Sequence, residues 1–94
     1  MVKHIVLFTL KEGVEKEKTI DMIASVLEPL AGKIAGLHHV ECRKVFAGSV
    51  DFALYCELES KEALDFYAVH PLHEEAKSHF FHLLAGRVAA DYEI

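Results

Sequence analysis

The first ten residues are predicted to form a β-strand, in which successive side chains point to opposite faces. Residues 2–10, VKHIVLFTL, are rich in β-branched and aromatic side chains, which favours the same structure. One face of this strand carries Val2, His4, Val6, Phe8 and Leu10, and the other carries Lys3, Ile5, Leu7 and Thr9. Both faces are therefore largely apolar.

A helical spacing follows the first strand. Apolar residues recur three to four positions apart at Ile20, Ile23, Val26 or Leu27, Leu30 and Ile34. Proline lacks an N–H group and clashes with the preceding turn, so Pro29 interrupts this helix. We expect the main helix to end near Leu27 or Glu28, with a short turn up to Gly32.

Two further strands are predicted after this turn. Gly36 releases the chain into a strand over Leu37–Phe46. Gly48 and Ser49 form a turn, and the next strand covers Asp51–Leu58.

The last third of the chain is predicted to form two helices and a closing strand. Ser60 is a favourable N-cap for a helix over residues 61–69. Pro71 ends that helix, because a residue before proline is driven out of the α region. A second helix is expected over residues 72–85. Gly86 stops it, and the final residues form the last strand.

The resulting order is β-α-β-β-α-β, which predicts an α+β, ferredoxin-like protomer in a single domain over residues 1–94. Its four strands form an antiparallel sheet with the helices on one face. A sheet with one bare face usually alternates apolar and polar residues, yet the first strand is apolar on both. We therefore predict a homodimer in which two open sheet faces meet and close into a dimeric α/β barrel.

Composition narrows the classes of function. The net charge is −5 and no basic patch is present, which argues against nucleic-acid and anionic-membrane partners. The N-terminal apolar run is far shorter than a membrane span and has no signal-peptide cleavage pattern. Cys42 and Cys56 lack CxxC spacing and are expected to be buried thiols of a cytoplasmic protein.

Four stretches in this order resemble the stress-responsive dimeric A/B barrel (Dabb) family: VKHIVLF at 2–8, GKIAGL at 32–37, ESKEALDFYAVHPLH at 59–73 and ADYEI at 90–94. The resemblance implies a ferredoxin-like protomer and a homodimer, in agreement with the argument from the first strand. It does not imply one activity. Members of the family range from plant stress proteins without a clear reaction to a plant polyketide cyclase that closes a ring by aldol-type chemistry.

The resemblance to that cyclase also implies three working groups, at His4, Tyr67 and His73. A histidine near its reference pKa of about 6.5 can serve as a general base at neutral pH. A second histidine or a tyrosine would then stabilise a developing enolate oxygen. Such chemistry needs no cofactor. The apolar residues expected beside these groups are Val6, Phe8 and Phe80.

Three functions follow from this cluster. The first is binding of a small apolar or carbonyl-bearing molecule in a pocket between sheet and helices. The second is cofactor-free acid–base catalysis of the cyclase, isomerase or lyase type. The third is a purely structural dimer in which the histidines form hydrogen bonds that lock the helices onto the sheet.

The remaining histidines are expected to be structural. His70 precedes Pro71 and is predicted to make a backbone hydrogen bond in the turn. His79 and His82 are three residues apart, but a metal site needs further ligands, so we predict no metal. His38 and His39 are adjacent on a strand and point to opposite faces.

Overall fold

The computed structural model describes residues 1–94 and contains four strands and three helices. They are β1 Val2–Leu10, α1 Lys16–Leu27, β2 Leu37–Lys44, β3 Phe52–Leu58, α2 Lys61–Val69, α3 Pro71–Ser78 and β4 Leu84–Glu93. Single 3₁₀ turns occupy Glu28–Leu30 and Phe81–Leu83. The sheet is antiparallel with strand order β2-β3-β1-β4, which confirms the predicted ferredoxin-like arrangement.

The helix boundaries follow from capping and from the two prolines. The carboxylate of Glu15 accepts a hydrogen bond from the N–H of Lys18 at the start of α1. As predicted, α1 ends at Leu27, and Pro29 lies in the 3₁₀ turn that follows. Ser60 caps α2 by accepting from the N–H of Ala63 at 3.1 Å.

The hydrophobic core lies between the helices and one face of the sheet, here called the inner face. From β1, four apolar residues of this face are almost completely buried: Val2, Val6, Phe8 and Leu10. Phe8 stacks on Phe52 of β3 with ring centroids 4.6 Å apart. The fifth β1 residue of this face is His4, so the core places an imidazole among apolar side chains.

The predicted helix over residues 72–85 is wrong in its second half. The helix α3 ends at Ser78, and Leu84 and Gly86 lie in β4, where they pair with Leu10 and Thr9 of β1. The N–H of Lys11 also donates to the carbonyl of Leu83 at 2.9 Å. Pairing along the whole of β1 therefore prevails over the helical spacing in the sequence. Gly86 is a strand residue, not a helix stop.

The second strand is also shorter than predicted. It ends at Lys44, and Phe46 is 99% exposed in the connection to β3. The connection begins here because the ladder between β2 and β3 stops where Lys44 pairs with Phe52.

The other face of the sheet, here called the outer face, carries no helix. Leu7 of β1 pairs with Val88 of β4 on this face, and Ile5 pairs with Ala90. Val88 is 66% exposed and Tyr92 is 51% exposed, so apolar area is open to solvent here. None of the helices combines the length and the apolar character needed to cross a bilayer.

Gly36 offers a direct test of the packing between β2 and α2. Its φ is +83°, and a Cβ placed on it would lie 2.6 Å from the Cβ of Ala63. We predict that Gly36→Ala lowers the free energy of unfolding by about 1–2 kcal/mol from backbone strain and by about 1–3 kcal/mol more from overpacking. Urea denaturation measures the loss.

Gly32→Ala is the matched control, since Gly32 has φ +85° but no atom within 4 Å of an added Cβ. It should show the strain cost alone. Equal losses in the two variants would contradict the close contact of Gly36 with α2.

Candidate functional site

A partly open cavity of about 240 Å³ lies between the inner face of the sheet and the helices α2 and α3. Nine of its thirteen lining residues are hydrophobic, so the wall is mainly apolar. It includes all the residues predicted for the site, His4, Val6, Phe8, Tyr67, His73 and Phe80. The rest of the wall consists of Leu27, Leu54, Leu64, Ala68, Lys77, Phe81 and Arg87.

His4 is placed by the register of three strands. It pairs with Cys56 of β3 on one side and with Asp91 of β4 on the other. Its Nδ1 makes a short hydrogen bond with the Asp91 carboxylate, and its side chain is only 13% exposed. A carboxylate acceptor at Nδ1 favours an N–H there and leaves Nε2 without a partner in the protein.

Tyr67 reaches the cavity from the middle of α2 and is 1% exposed. Its hydroxyl is fully buried and has no hydrogen-bond partner of acceptable geometry. Burial is the main cause that raises the pKa of Tyr67 above its ordinary value, with the nearby thiol of Cys56 as a smaller cause. The phenol therefore stays protonated and keeps an unused O–H donor.

His73 lies in the first turn of α3, where Pro71 starts the helix. Its ring stacks on Tyr67 with centroids 4.1 Å apart. Its Nδ1 makes a long hydrogen bond, 3.4 Å, with the carbonyl of Ala68. Burial lowers the pKa of His73 below the ordinary value of 6.5, so the imidazole is neutral near pH 7.

The three side chains meet around one space. Tyr67 lies between the imidazoles, 6.2 Å from His4 and 4.1 Å from His73 between ring centroids. The Nε2 atoms of His4 and His73 and the hydroxyl of Tyr67 make no hydrogen bonds within the protein. Only the Tyr67 hydroxyl is also fully buried. Buried polar atoms without partners are rare in folded proteins, because they lose their hydration without compensation. A bound molecule with hydrogen-bonding atoms would satisfy them.

The other histidines and the cysteines lie outside this cluster. His70 accepts from the N–H of Leu72 at 3.1 Å and so caps α3, which confirms its predicted role in the turn. His38 and His39 pair with different surface carboxylates. Both thiols are buried and free, and burial raises the pKa of Cys56 to about 12. No group of three or more histidine, cysteine or acidic side chains is arranged to hold a metal ion.

The sequence did not single out three residues of this region: Asp91, Lys77 and Arg87. Asp91 lies in the closing segment ADYEI, but its contact with His4 depends on the register between β1 and β4. Arg87 needs the same register to be placed on the inner face. Lys77 follows His73 by one helical turn, but this spacing alone predicts no functional role for the lysine.

The family follows from a comparison of sequences. The stress-responsive A/B barrel domain (Dabb) matches residues 2–94, almost the whole chain. The chain therefore belongs to the Dabb family, as the motifs of the first strand and of residues 59–73 indicate.

Three known proteins are similar to this chain over nearly its whole length. An uncharacterised protein of Streptomyces coelicolor is 32% identical, with 99% of each chain covered. A dimeric, ferredoxin-like protein from Bacteroides fragilis is 32% identical with a TM-score of 0.90, covering 99% of this chain and 95% of that one. A dimeric, ferredoxin-like protein from Thermobifida fusca is 26% identical with a TM-score of 0.85, covering 99% and 90%. These two proteins of known structure are dimeric.

The lowered pKa of His73 predicts a pH dependence of stability. Between its ordinary pKa of 6.5 and its lower folded pKa, the unfolded chain binds more protons than the folded chain. The stabilising contribution of the neutral imidazole is therefore complete above about pH 6.5 and is lost as the pH falls towards the folded pKa. We expect the stability difference between wild type and His73→Gln to shrink over that range.

Urea denaturation at closely spaced pH values measures this difference, with His79→Gln as control because His79 is exposed at the end of α3. The control should keep a constant offset from wild type. A wild-type advantage over His73→Gln that grows on acidification would contradict a buried neutral His73.

Proposed function

We propose that this protein is a homodimer that binds a small carbonyl-bearing molecule in the cavity between sheet and helices. One observation carries the proposal. Three polar atoms without protein partners, the Nε2 atoms of His4 and His73 and the hydroxyl of Tyr67, surround one mainly apolar space. The lining supplies apolar contact, and the polar atoms supply orientation.

A carbonyl group fits the Tyr67 hydroxyl, which is the one free donor among the three atoms. The Nε2 atoms of His4 and His73 are acceptors, because each ring bonds an oxygen through its Nδ1–H. The protonated Tyr67 hydroxyl is a donor without an acceptor in the protein. A carbonyl oxygen is an acceptor that carries no charge to desolvate. The cavity volume of about 240 Å³ equals that of roughly eight liquid waters at about 30 Å³ each. A molecule of about eight non-hydrogen atoms is therefore the expected size.

Acid–base catalysis is the second candidate function, favoured by the state of His73. An imidazole that is neutral at pH 7 and free at Nε2 is prepared to take a proton from the carbon next to a carbonyl. The C–H electron pair then moves to the carbonyl oxygen, and the Tyr67 hydroxyl donates a hydrogen bond to the enolate. Through its carboxylate, Asp91 fixes the ring of His4 at the same space.

The structural alternative is less well supported by the contacts. If His4 and His73 served only to lock the helices, their ring nitrogens would be bonded to each other or to several backbone groups. Instead each imidazole uses one nitrogen in a hydrogen bond, and the Tyr67 hydroxyl makes no hydrogen bond.

Both cysteines are buried and unpaired, which supports a reducing, cytoplasmic setting.

Deuterium exchange of 2-hexanone separates binding from catalysis. In D₂O at neutral pD, proton NMR follows loss of the α-proton signals, and saturation transfer from the protein reports binding. We predict binding with catalysed exchange in the wild type. Removal of the base in His73→Ala should slow exchange by about 10²–10⁴-fold, and Tyr67→Phe should slow it less.

His79→Ala is the control, because His79 belongs to the same end of the fold but does not line the cavity. Binding of 2-hexanone by the wild type without catalysed exchange would leave the binding function and reject catalysis. Absence of both in the wild type would reject the proposed function.

The proposed dimer uses the outer face. Leu7 and Val88 pair across β1 and β4 there, with 36% and 66% of their surface exposed, and nine of the ten β4 residues are exposed in the isolated chain. An uncovered apolar sheet face favours self-association. We predict a dimeric mass by light scattering at micromolar concentration and a monomeric mass for Val88→Glu.

Phe66→Glu is the matched control, since Phe66 is 50% exposed but lies on α2, in the helical layer. It should remain dimeric. A monomeric wild type, or dissociation by the α2 change alone, would refute the outer-face interface.

A further inference from the structure

The wall of the cavity carries a charge opposite to that of the chain. The protein has fifteen acidic and ten basic residues, a net charge of −5. The cavity wall nevertheless includes two cations, Lys77 and Arg87, and no carboxylate. Two carboxylates bond to residues of the wall, Asp91 to His4 and Glu74 to Lys77. Arg87 is therefore the one cation of the wall without an ion-pair partner.

Arg87 is the more informative of the two cations in the wall. It projects from the inner face of β4, where it pairs with Phe8 of β1, and it makes no salt bridge or side-chain hydrogen bond. The only other arginine, Arg43, bonds to the carboxylate of Glu28 at 2.7 Å. A guanidinium offers a planar pair of donors that matches a carboxylate. Here that pair has no partner in the protein, and Arg87 is an exposed residue.

Lys77 is held beside the same cavity. Its ammonium lies 2.9 Å from the Glu74 carboxylate and 5.1 Å from the centre of the Phe81 ring, and its side chain is 24% exposed. These contacts fix the position of the charge and offset part of it. Lys77 also follows His73 by one helical turn, so the cation and the imidazole lie on one face of α3.

We propose that the ligand is a small keto acid whose carboxylate binds Arg87, with Lys77 as a second cation, while its carbonyl lies at His73 and Tyr67. This assignment rests on the proposed function and adds its substrate class. A carboxylate is favoured over a phosphate ester, because a dianion loses more hydration in a small apolar cavity. The guanidinium of Arg87 supplies the pair of parallel N–H donors that one carboxylate binds.

A matched pair of probes tests this assignment. The keto acid 5-oxohexanoate has nine non-hydrogen atoms, and its methyl ester keeps the ketone but removes the charge. Isothermal titration and saturation-transfer NMR at neutral pH and low salt give the two affinities. We predict that the acid binds about tenfold or more tightly than the ester, which corresponds to one charge-assisted hydrogen bond.

The variants assign the preference to a residue. Arg87→Ala should remove most of the preference for the acid, with the remainder due to Lys77, and Arg87→Lys should restore part of it. Arg43→Ala, the matched loss of an arginine outside the cavity, should keep the full preference.

The outcomes separate the two proposals. Equal affinities for acid and ester, or a preference that is undiminished in Arg87→Ala, would overturn the keto-acid assignment and leave the carbonyl site intact. Failure of both probes to bind would overturn this assignment together with the proposed function.

Discussion

The strand β1 is the constraint from which the rest of the structure follows. It lies in the interior of the sheet, paired with β3 on one side and β4 on the other, so its period of two is fixed at both edges. A slip of one residue would exchange its two faces completely. Its inner face therefore supplies the floor of the core, and its outer face remains apolar and uncovered by helices.

The same register creates the candidate site. His4 occupies the one polar position on the inner face of β1, and the pairing of β1 with β4 puts Asp91 beside it. The break at Pro71 sets α3 at an angle that brings His73 against Tyr67. The strand β1 and the consecutive helices α2 and α3 thus converge as the apolar residues around the three side chains are buried. The Tyr67 hydroxyl, buried without a partner, is the cost of that packing, and a ligand would compensate it.

Much of the fold was predictable from the sequence because it depends on local signals. The end of α1 before Pro29, the cap at Ser60 and the break at Pro71 each have a local cause. The end of α3 did not, because Leu83 and Leu84 fit a helical stripe as well as a strand. The outcome was decided by pairing with β1, a partner more than seventy residues away. The same holds for the site. Its residue types could be predicted from the sequence, whereas the contact of Asp91 with His4 depends on the register between β1 and β4.

The central claim is that the imidazoles of His4 and His73 contact a bound carbonyl compound through their Nε2 atoms, which have no partner in the protein. Long-range ¹H–¹⁵N NMR of the histidine side chains during a titration with 5-oxohexanoate tests it most directly. The account predicts that the Nε2 resonances of both residues shift along one saturating curve, while those of the surface histidines His38 and His79 stay unchanged. Equal small drifts of all histidines, or no shift at His4 and His73 at saturating concentration, would contradict it.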